Sequence, residues 1–315
     1  MKYRIPLFVG VISCIFSLPS HSQGCSDAGF CTMGAMKPDQ PYNKKIALRL
    51  HSIEMNFYRA TTTLTPIIYV ATADLNFSLN SKNSFQVKLP YQAVTGRLAN
   101  TSSIGDISLC YTRNIYTSDR FDLNFSLGGK IPTNHSDKVS DEGFPLPMYY
   151  QTSLGSYDFI TGLSLINRKW LFATGIQIPL TKNGNQFLWE SWANSDVDQT
   201  YLHEYNQSKE LKRGTDIMFR VERNFRLSRF HVGIGVLPIY RINNDEIADA
   251  AGNPVKPDGA HGLALSALAN GGYSFNTRSG IKVIIGHNII QRERNPDGLT
   301  RHFISTITYY YRIKG

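Results

Sequence analysis

Nine ionisable side chains fall on the polar side of segments that alternate apolar and polar residues: Asp74, Lys88, Asp106, Asp122, Lys130, Asp158, Arg220, Glu222 and His231. Acids and bases mixed in this way can do two things without a cofactor. They can pair across a narrow interior, or they can guide a solute of matching charge along it. Covalent catalysis asks for more, because a nucleophile, a base and an orienting group must come together. The chain has eight histidines, yet no Gly-x-Ser-x-Gly elbow occurs. Asn134-His135-Ser136 sets a base beside a hydroxyl in a polar stretch that reads more simply as a solvated turn. His203-Glu204 opens a metal motif that no second histidine at helical spacing completes. Cys25 and Cys31 bracket a short segment and can close a small disulfide loop in an oxidising compartment. No later His or Cys pair turns them into a metal site. The expectation is a protein that is not an enzyme and uses neither metal nor other cofactor.

The elements that carry these residues share one pattern. In Phe121–Ile131, large apolar residues alternate with polar or small ones, so a strand there is oily on one face and wet on the other. The pattern recurs near 46–50, 69–79, 85–91, 107–111, 121–131, 157–165, 170–178, 217–221, 230–240, 263–273, 281–285 and 303–313. Cys110 sits on the polar-facing register of the fourth. Connections after even-numbered strands, such as 80–83, 116–119, 167–169, 226–228 and 276–279, are short and rich in polar or turn-forming residues. Those after odd strands, at 92–104, 132–147, 181–211, 242–260 and 289–301, are longer and mostly polar, except a short one near 58–62. Sorted lengths of this kind are the signature of a membrane barrel with short turns at one end and long loops at the other. The fold class is therefore all-β, a closed antiparallel transmembrane β-barrel of about 12 strands, with roughly 10 or 14 as neighbouring counts. A soluble β-sandwich also alternates, but its loops need not be longer at one end, and it does not need Tyr309, Tyr311 and Ile313 on one face of a terminal strand.

The start of the chain points to export. Met1–Arg4 is basic, Ile5–Leu18 is apolar, and small residues follow at Ser20 and Ser22, as in a cleaved signal peptide over residues 1–22. The apolar run falls short of the roughly 20 residues of a spanning helix. Residues 23–44 lack a period and read as an N-terminal extension or small plug, with the barrel occupying 45–315. Tyr and Phe, at 17 each, fit aromatic girdles. The mean hydropathy of -0.24 fits a lumen that dilutes the lipid-facing residues. The formal charge of +9 falls by two when Lys2 and Arg4 leave with the signal. No dense Lys/Arg cluster accompanies it, which argues against a nucleic-acid partner. Outer-membrane lipid, lipopolysaccharide and a small-molecule solute are the partners this pattern fits.

Two stretches carry a family likeness. Ser103-Ile104-Gly105-Asp106-Ile107-Ser108-Leu109 and Leu127-Gly128-Gly129-Lys130-Ile131-Pro132-Thr133, followed by Leu146-Pro147 and Gln151-Thr152-Ser153-Leu154-Gly155-Ser156-Tyr157-Asp158, cover roughly residues 100–180. They resemble the MetA-pathway phenol-degradation family of outer-membrane proteins, related to long-chain fatty-acid channels. The Gly24–Cys31 start resembles outer-membrane proteins of the Bacteroidetes. The resemblance implies a monomeric barrel in the outer membrane of a Gram-negative bacterium that passes small, often apolar, molecules. The Asn-Pro-Ala motif of the fatty-acid channels is absent. The alternative is a structural or adhesive surface protein whose lumen is filled and whose function lies in its outer loops. Trp189, Trp192, Tyr201 and Tyr205 then either form an entrance or pack their loop on itself.

Overall fold

The computed structural model describes residues 48–62, 64–299 and 301–313. The expected leader at 1–22 and the extension at 23–44, with Cys25 and Cys31, lie outside them.

Twelve antiparallel strands close into one barrel. They are β1 (Arg49–Thr61), β2 (Ile67–Ser78), β3 (Asn83–Thr95), β4 in two segments (Asn100–Ile104 and Ile107–Thr117), β5 (Asp122–Ile131) and β6 (Asp158–Ile166). They continue as β7 (Trp170–Pro179), β8 (Asp216–Leu227), β9 (Phe230–Arg241), β10 (Gly262–Ser274), β11 (Ser279–Ile290) and β12 (Phe303–Arg312). Each strand pairs with its neighbours in sequence, and β12 returns to β1 with Ser52 opposite Arg312 and Thr61 opposite Phe303. Closure removes both sheet edges, so every strand has a partner on each side. The break in β4 has a local cause. Gly105 donates its N–H to the Pro90 carbonyl at 2.8 Å, and Pro90, lacking an N–H, cannot complete a regular pair there.

Four of the short turns are built alike. An Asn or Ser side chain accepts hydrogen bonds from backbone N–H groups two and three residues on, which holds the chain in a tight reversal. Asn80 takes Lys82 and Asn83 at 2.9 Å each, Asn167 takes Lys169 at 2.7 Å and Trp170 at 2.6 Å, and Asn276 takes Arg278 and Ser279 at 2.8 and 2.9 Å. Ser118 does the same for Arg120 and Phe121 at 3.3 and 3.1 Å. The fifth, after β8, places Ser228 at φ 51°. One long loop expected from sequence is not a loop. Residues 92–95 and 100–104 continue the β3 and β4 ladder, and the reversal is only 96–99, where Gly96 donates to the Ala99 carbonyl at 3.2 Å.

The outside is apolar. On β9, Phe230, Val232, Ile234, Val236 and Tyr240 are exposed, while Leu237 and Ile239 between them point inward and are buried. Exposed aromatics gather at both ends: Tyr116, Trp170, Phe225, Phe230 and Tyr311 near the short turns, and Tyr69, Tyr91, Tyr157 and Tyr240 near the long loops. From Phe230 to Tyr240 is ten residues, about 34 Å along a strand and about 24 Å along the barrel axis at a tilt near 45°. That matches the roughly 25 Å apolar band between the girdles of outer-membrane barrels. A closed barrel with such a belt is a transmembrane barrel of the outer-membrane type. Among the described residues no helix is long and apolar enough to cross a membrane. In β1, a bulge between Leu50 and Ser52 switches the outward parity, so that Leu48 lies outward before it and Met55 and Phe57 after it.

Candidate functional site

The inward register runs as continuous rows from strand to strand. One row passes from Tyr310 on β12 to Glu54, Asp74, Lys88, Ser108, Lys130 and Asp158 on β1 to β6, each directly opposite the next. A second row carries Arg226, His231, Gly272, Lys282, Thr308 and Asn56. Between these walls lies a cavity of about 430 Å³, lined by Asp74, Lys88, Asp106, Lys130, Arg220, Glu222 and His231 among others. Asp122 and Asp158 are placed elsewhere. Asp122 sits half-buried at the short-turn end of β5, opposite Thr117 and Ile166. Asp158 is buried above the cavity and accepts from Gln177 at 2.5 Å, from Ser156 at 2.9 Å and from Arg213.

The lining acids are held in ion pairs. Lys88 lies 3.6 Å from Asp74, which also takes both hydrogen bonds of the Gln86 amide at 2.7 and 2.8 Å. Lys130 lies 3.5 Å from Asp106, and Arg220 lies 2.6 Å from Glu222. In a confined interior such pairs and hydrogen bonds offset much of the desolvation cost of their charges.

The long loops do not stand open. Residues 132–157, 180–215, 242–261, 291–299 and 301–302 fold over their end of the barrel and bury Leu146, Tyr150, Phe187, Trp192, Leu202 and Tyr205. Beneath them the wall turns apolar on its inner side, with Ala60, Ile68, Val94, Ile160, Leu237, Leu268 and Ile304 joining the same core. Trp192 stacks on Phe144 at 4.9 Å between ring centroids and donates its indole N–H to the Pro145 carbonyl at 2.7 Å. The Tyr205 hydroxyl meets those of Tyr201 at 2.6 Å and Tyr150 at 3.3 Å. Burial pushes the Tyr150 and Tyr205 phenols above their usual range, so they serve as neutral hydroxyls. Trp192, Tyr201 and Tyr205 therefore pack their loop against its neighbours, Trp192 and Tyr205 on the 132–157 loop and Tyr201 beside Thr65 and Arg97, rather than lining an open entrance. Ser136 is likewise used by the fold, its hydroxyl donating to the Ser153 carbonyl at 2.7 Å.

A buried cluster of arginines and aspartates ties these loops to the strands. Arg241, at the end of β9, contacts Asp216 at 2.7 Å, Asp245 at 2.8 Å and Asp297 at 2.9 Å, and Arg292 reaches Asp297 at 3.4 Å. Burial alone raises the Asp297 carboxyl, but the guanidinium groups of Arg241, Arg292 and Arg213 win and hold it well below the usual carboxylate range. For Asp245, burial and the neighbouring Asp297 prevail over Arg241 and Arg292 and lift it above that range. Sequence reading missed this cluster because Arg213, Asp245, Arg292 and Asp297 lie in loops, where alternation says nothing about direction, and only Asp216 and Arg241 stand at strand ends. The loop residues Met148, Gln151, Thr152, Ser153 and Leu154, which form the cavity roof, were missed for the same reason.

Residues of the family-like stretches meet at one corner of this roof. Asp106 accepts from Ser153 Oγ and from the Leu154 N–H at 3.1 Å, Thr133 donates to the Ile104 carbonyl at 2.7 Å, and Ser156 binds Asp158. They clasp the 132–157 loop onto β4, β5 and β6.

Comparison with known proteins adds little beyond architecture. No family model matches the chain, and no curated protein matches it. Among solved structures, the KdgM porin aligns over 84% of this chain and 99% of its own, at 6% identity and a TM-score of 0.43. The NanC porin aligns over 85% and 100%, at 8% identity and 0.44. The outer membrane phospholipase A from Escherichia coli aligns over 84% and 94%, at 9% identity and 0.38. Likeness at this level carries no information about this chain's activity, and the phenol-degradation resemblance gains no support from it.

Proposed function

We propose that this chain is exported behind a cleaved signal, inserts as a monomer into the outer membrane of a Gram-negative bacterium, and passes small solutes passively. The observation that carries the reading is the cavity of about 430 Å³ enclosed by a lipid-facing barrel. Its size falls within the roughly 300–1,000 Å³ of sites that hold small molecules. Its walls mix charged and amide-bearing side chains with apolar ones such as Val70, Met148, Leu154, Leu268 and Ile304, so they do not single out the apolar solutes of the phenol-degradation resemblance. Lipopolysaccharide and membrane lipid surround the barrel at its outer rim and belt.

The buried loop layer favours a second reading, a surface protein whose lumen is filled and whose loops carry the function. Liposome swelling separates the two. Purified barrel reconstituted into vesicles is expected to admit small sugars and amino acids faster than protein-free vesicles. Absence of flux from a sample that shows the heat-modifiable mobility of a folded barrel establishes the filled-lumen reading instead.

A further inference from the structure

We propose that the short-turn end of the cavity binds a compact multivalent anion, a solute bearing carboxylate or phosphate groups. The proposal rests on the cavity being open to solutes and names the class it takes.

Charge is the first argument. The lining holds eight Lys or Arg and five Asp or Glu, a surplus of three positive charges. The surplus is not spread evenly. Asp74, Asp106, Glu222 and Asp297 each sit within 3.6 Å of a basic group of the wall or loops. The bases at the short-turn end include Arg229, Lys282 and Arg312, and the acid that register places nearest Arg312 is Glu54, opposite Tyr310.

Geometry is the second. The Lys282 ammonium and the Arg312 guanidinium lie over the same Tyr310 ring, 5.0 and 5.2 Å from its centroid. Neither forms an ion pair with a described carboxylate. Two cations gathered at one ring raise the local positive potential, and an anion bound beside them relieves it while accepting from their N–H groups. Register puts Lys282 in one row with His231 and Arg226, separated from His231 only by Gly272. A Cβ on Gly272 would stand 1.9 Å from the His231 ring, so the glycine is what allows that ring to lie across the wall. Lys282 and Arg312, with Arg229 in the same lining, thus bring N–H donors of two shapes to one mouth. The low-dielectric wall focuses their field into the lumen.

The test uses the full-length barrel in detergent and in planar bilayers, with citrate and pyrophosphate as probes. Calorimetry is expected to show binding of at least one probe, weakened by salt. The triple variant Arg229→Gln, Lys282→Gln, Arg312→Gln is expected to weaken it by about tenfold or more, the scale of a lost charge-assisted contact. The charge-conserving pair Lys282→Arg, Arg312→Lys is expected to retain it, which excludes simple misfolding. In a salt gradient the reversal potential of the wild type is expected to favour anions, and the triple variant to lose that preference. A wild type that binds neither probe at millimolar concentration, or a triple variant that binds as well as the wild type, overturns the proposal. Probe binding without conductance supports the site and sinks the channel reading, whereas conductance without probe binding does the reverse.

Discussion

Asp106 is buried on the inner wall beside the break in β4, where it faces Lys130 at 3.5 Å and accepts from the Leu154 N–H at 3.1 Å and from Ser153. One carboxylate thereby joins two strands to the roof of the cavity. Replacing it by Asn keeps an acceptor but removes the charge that Lys130 faces. Asp106→Asn is expected to lower barrel stability by about 1–3 kcal/mol, the range for an impaired buried charge-assisted bond. Urea unfolding in lipid vesicles measures this, and Lys130→Met in the same chain is expected to restore part of the loss. Gly155, in the same clasp, is constrained twice over. Its φ is +68°, and a Cβ would stand 2.6 Å from Ser136 Oγ and 2.8 Å from the His135 carbonyl. Gly155→Ala is therefore expected to loosen the 132–157 loop at a cost of about 1–3 kcal/mol. Proteolysis in that loop should speed up while the strands stay intact; unchanged cleavage would count against the clasp.

At the scale of elements, the barrel is a frame and the loops are its contents. Trp192 fixes the 180–215 loop to the 132–157 loop through Phe144 and Pro145. Trp192→Ala removes a fully buried side chain, a change that costs about 3–5 kcal/mol in a packed core. Because the loss falls on the roof, the expected result is a rise in single-channel conductance with a folded barrel; unaltered conductance would show that the roof does not limit passage. The arginine–aspartate cluster sets the pH range over which that roof holds. Asp297 is depressed below its unfolded value, so its contribution is present above about pH 3.9 and is lost as the pH falls through the lower folded value. Asp245 is raised, so its charge opposes folding at neutral pH and protonation relieves it on mild acidification. Hydrogen exchange in 242–261, 291–299 and 301–302 is therefore expected to stay slow from about pH 7 to pH 5 and to quicken only below about pH 4. How much of this was legible follows from period. Strands with alternation of two, such as Phe121–Ile131 and Phe230–Tyr240, could be read with their direction, so Asp74, Lys88 and Lys130 could be set on the inner wall. Leu237 and Ile239 broke the expected oily-out, polar-in code, because the inner wall turns apolar wherever loops pack on it. Arg213, Asp245, Arg292 and Asp297 lie in loops without a period, and only the folded chain brings them together.

The molecule as a whole separates two surfaces by a single residue step. Ile234, exposed on the outside of β9, stands between Gly233 and Gly235 on the inside, and the next inward positions along the row from Gly233 are Asn224 and Asn270. The glycines make room for those amides, since a Cβ at Gly233 would fall 2.4 Å from the Asn270 side chain. If lipid surrounds this belt, a charge at Ile234 sits inside the band, four residues from the girdle residue Phe230 and six from Tyr240. The cost of an arginine at the bilayer midplane of such barrels is about 2–4 kcal/mol, falling towards zero near the interfaces. Ile234→Arg is accordingly expected to depress folding into vesicles by that amount, whereas Phe230→Arg at the girdle should cost under about 1 kcal/mol. A soluble barrel of the same shape would gain solubility from both substitutions and show no dependence on depth. The depth profile, measured as folded fraction against urea for the two variants, thus tests the membrane assignment independently of any solute.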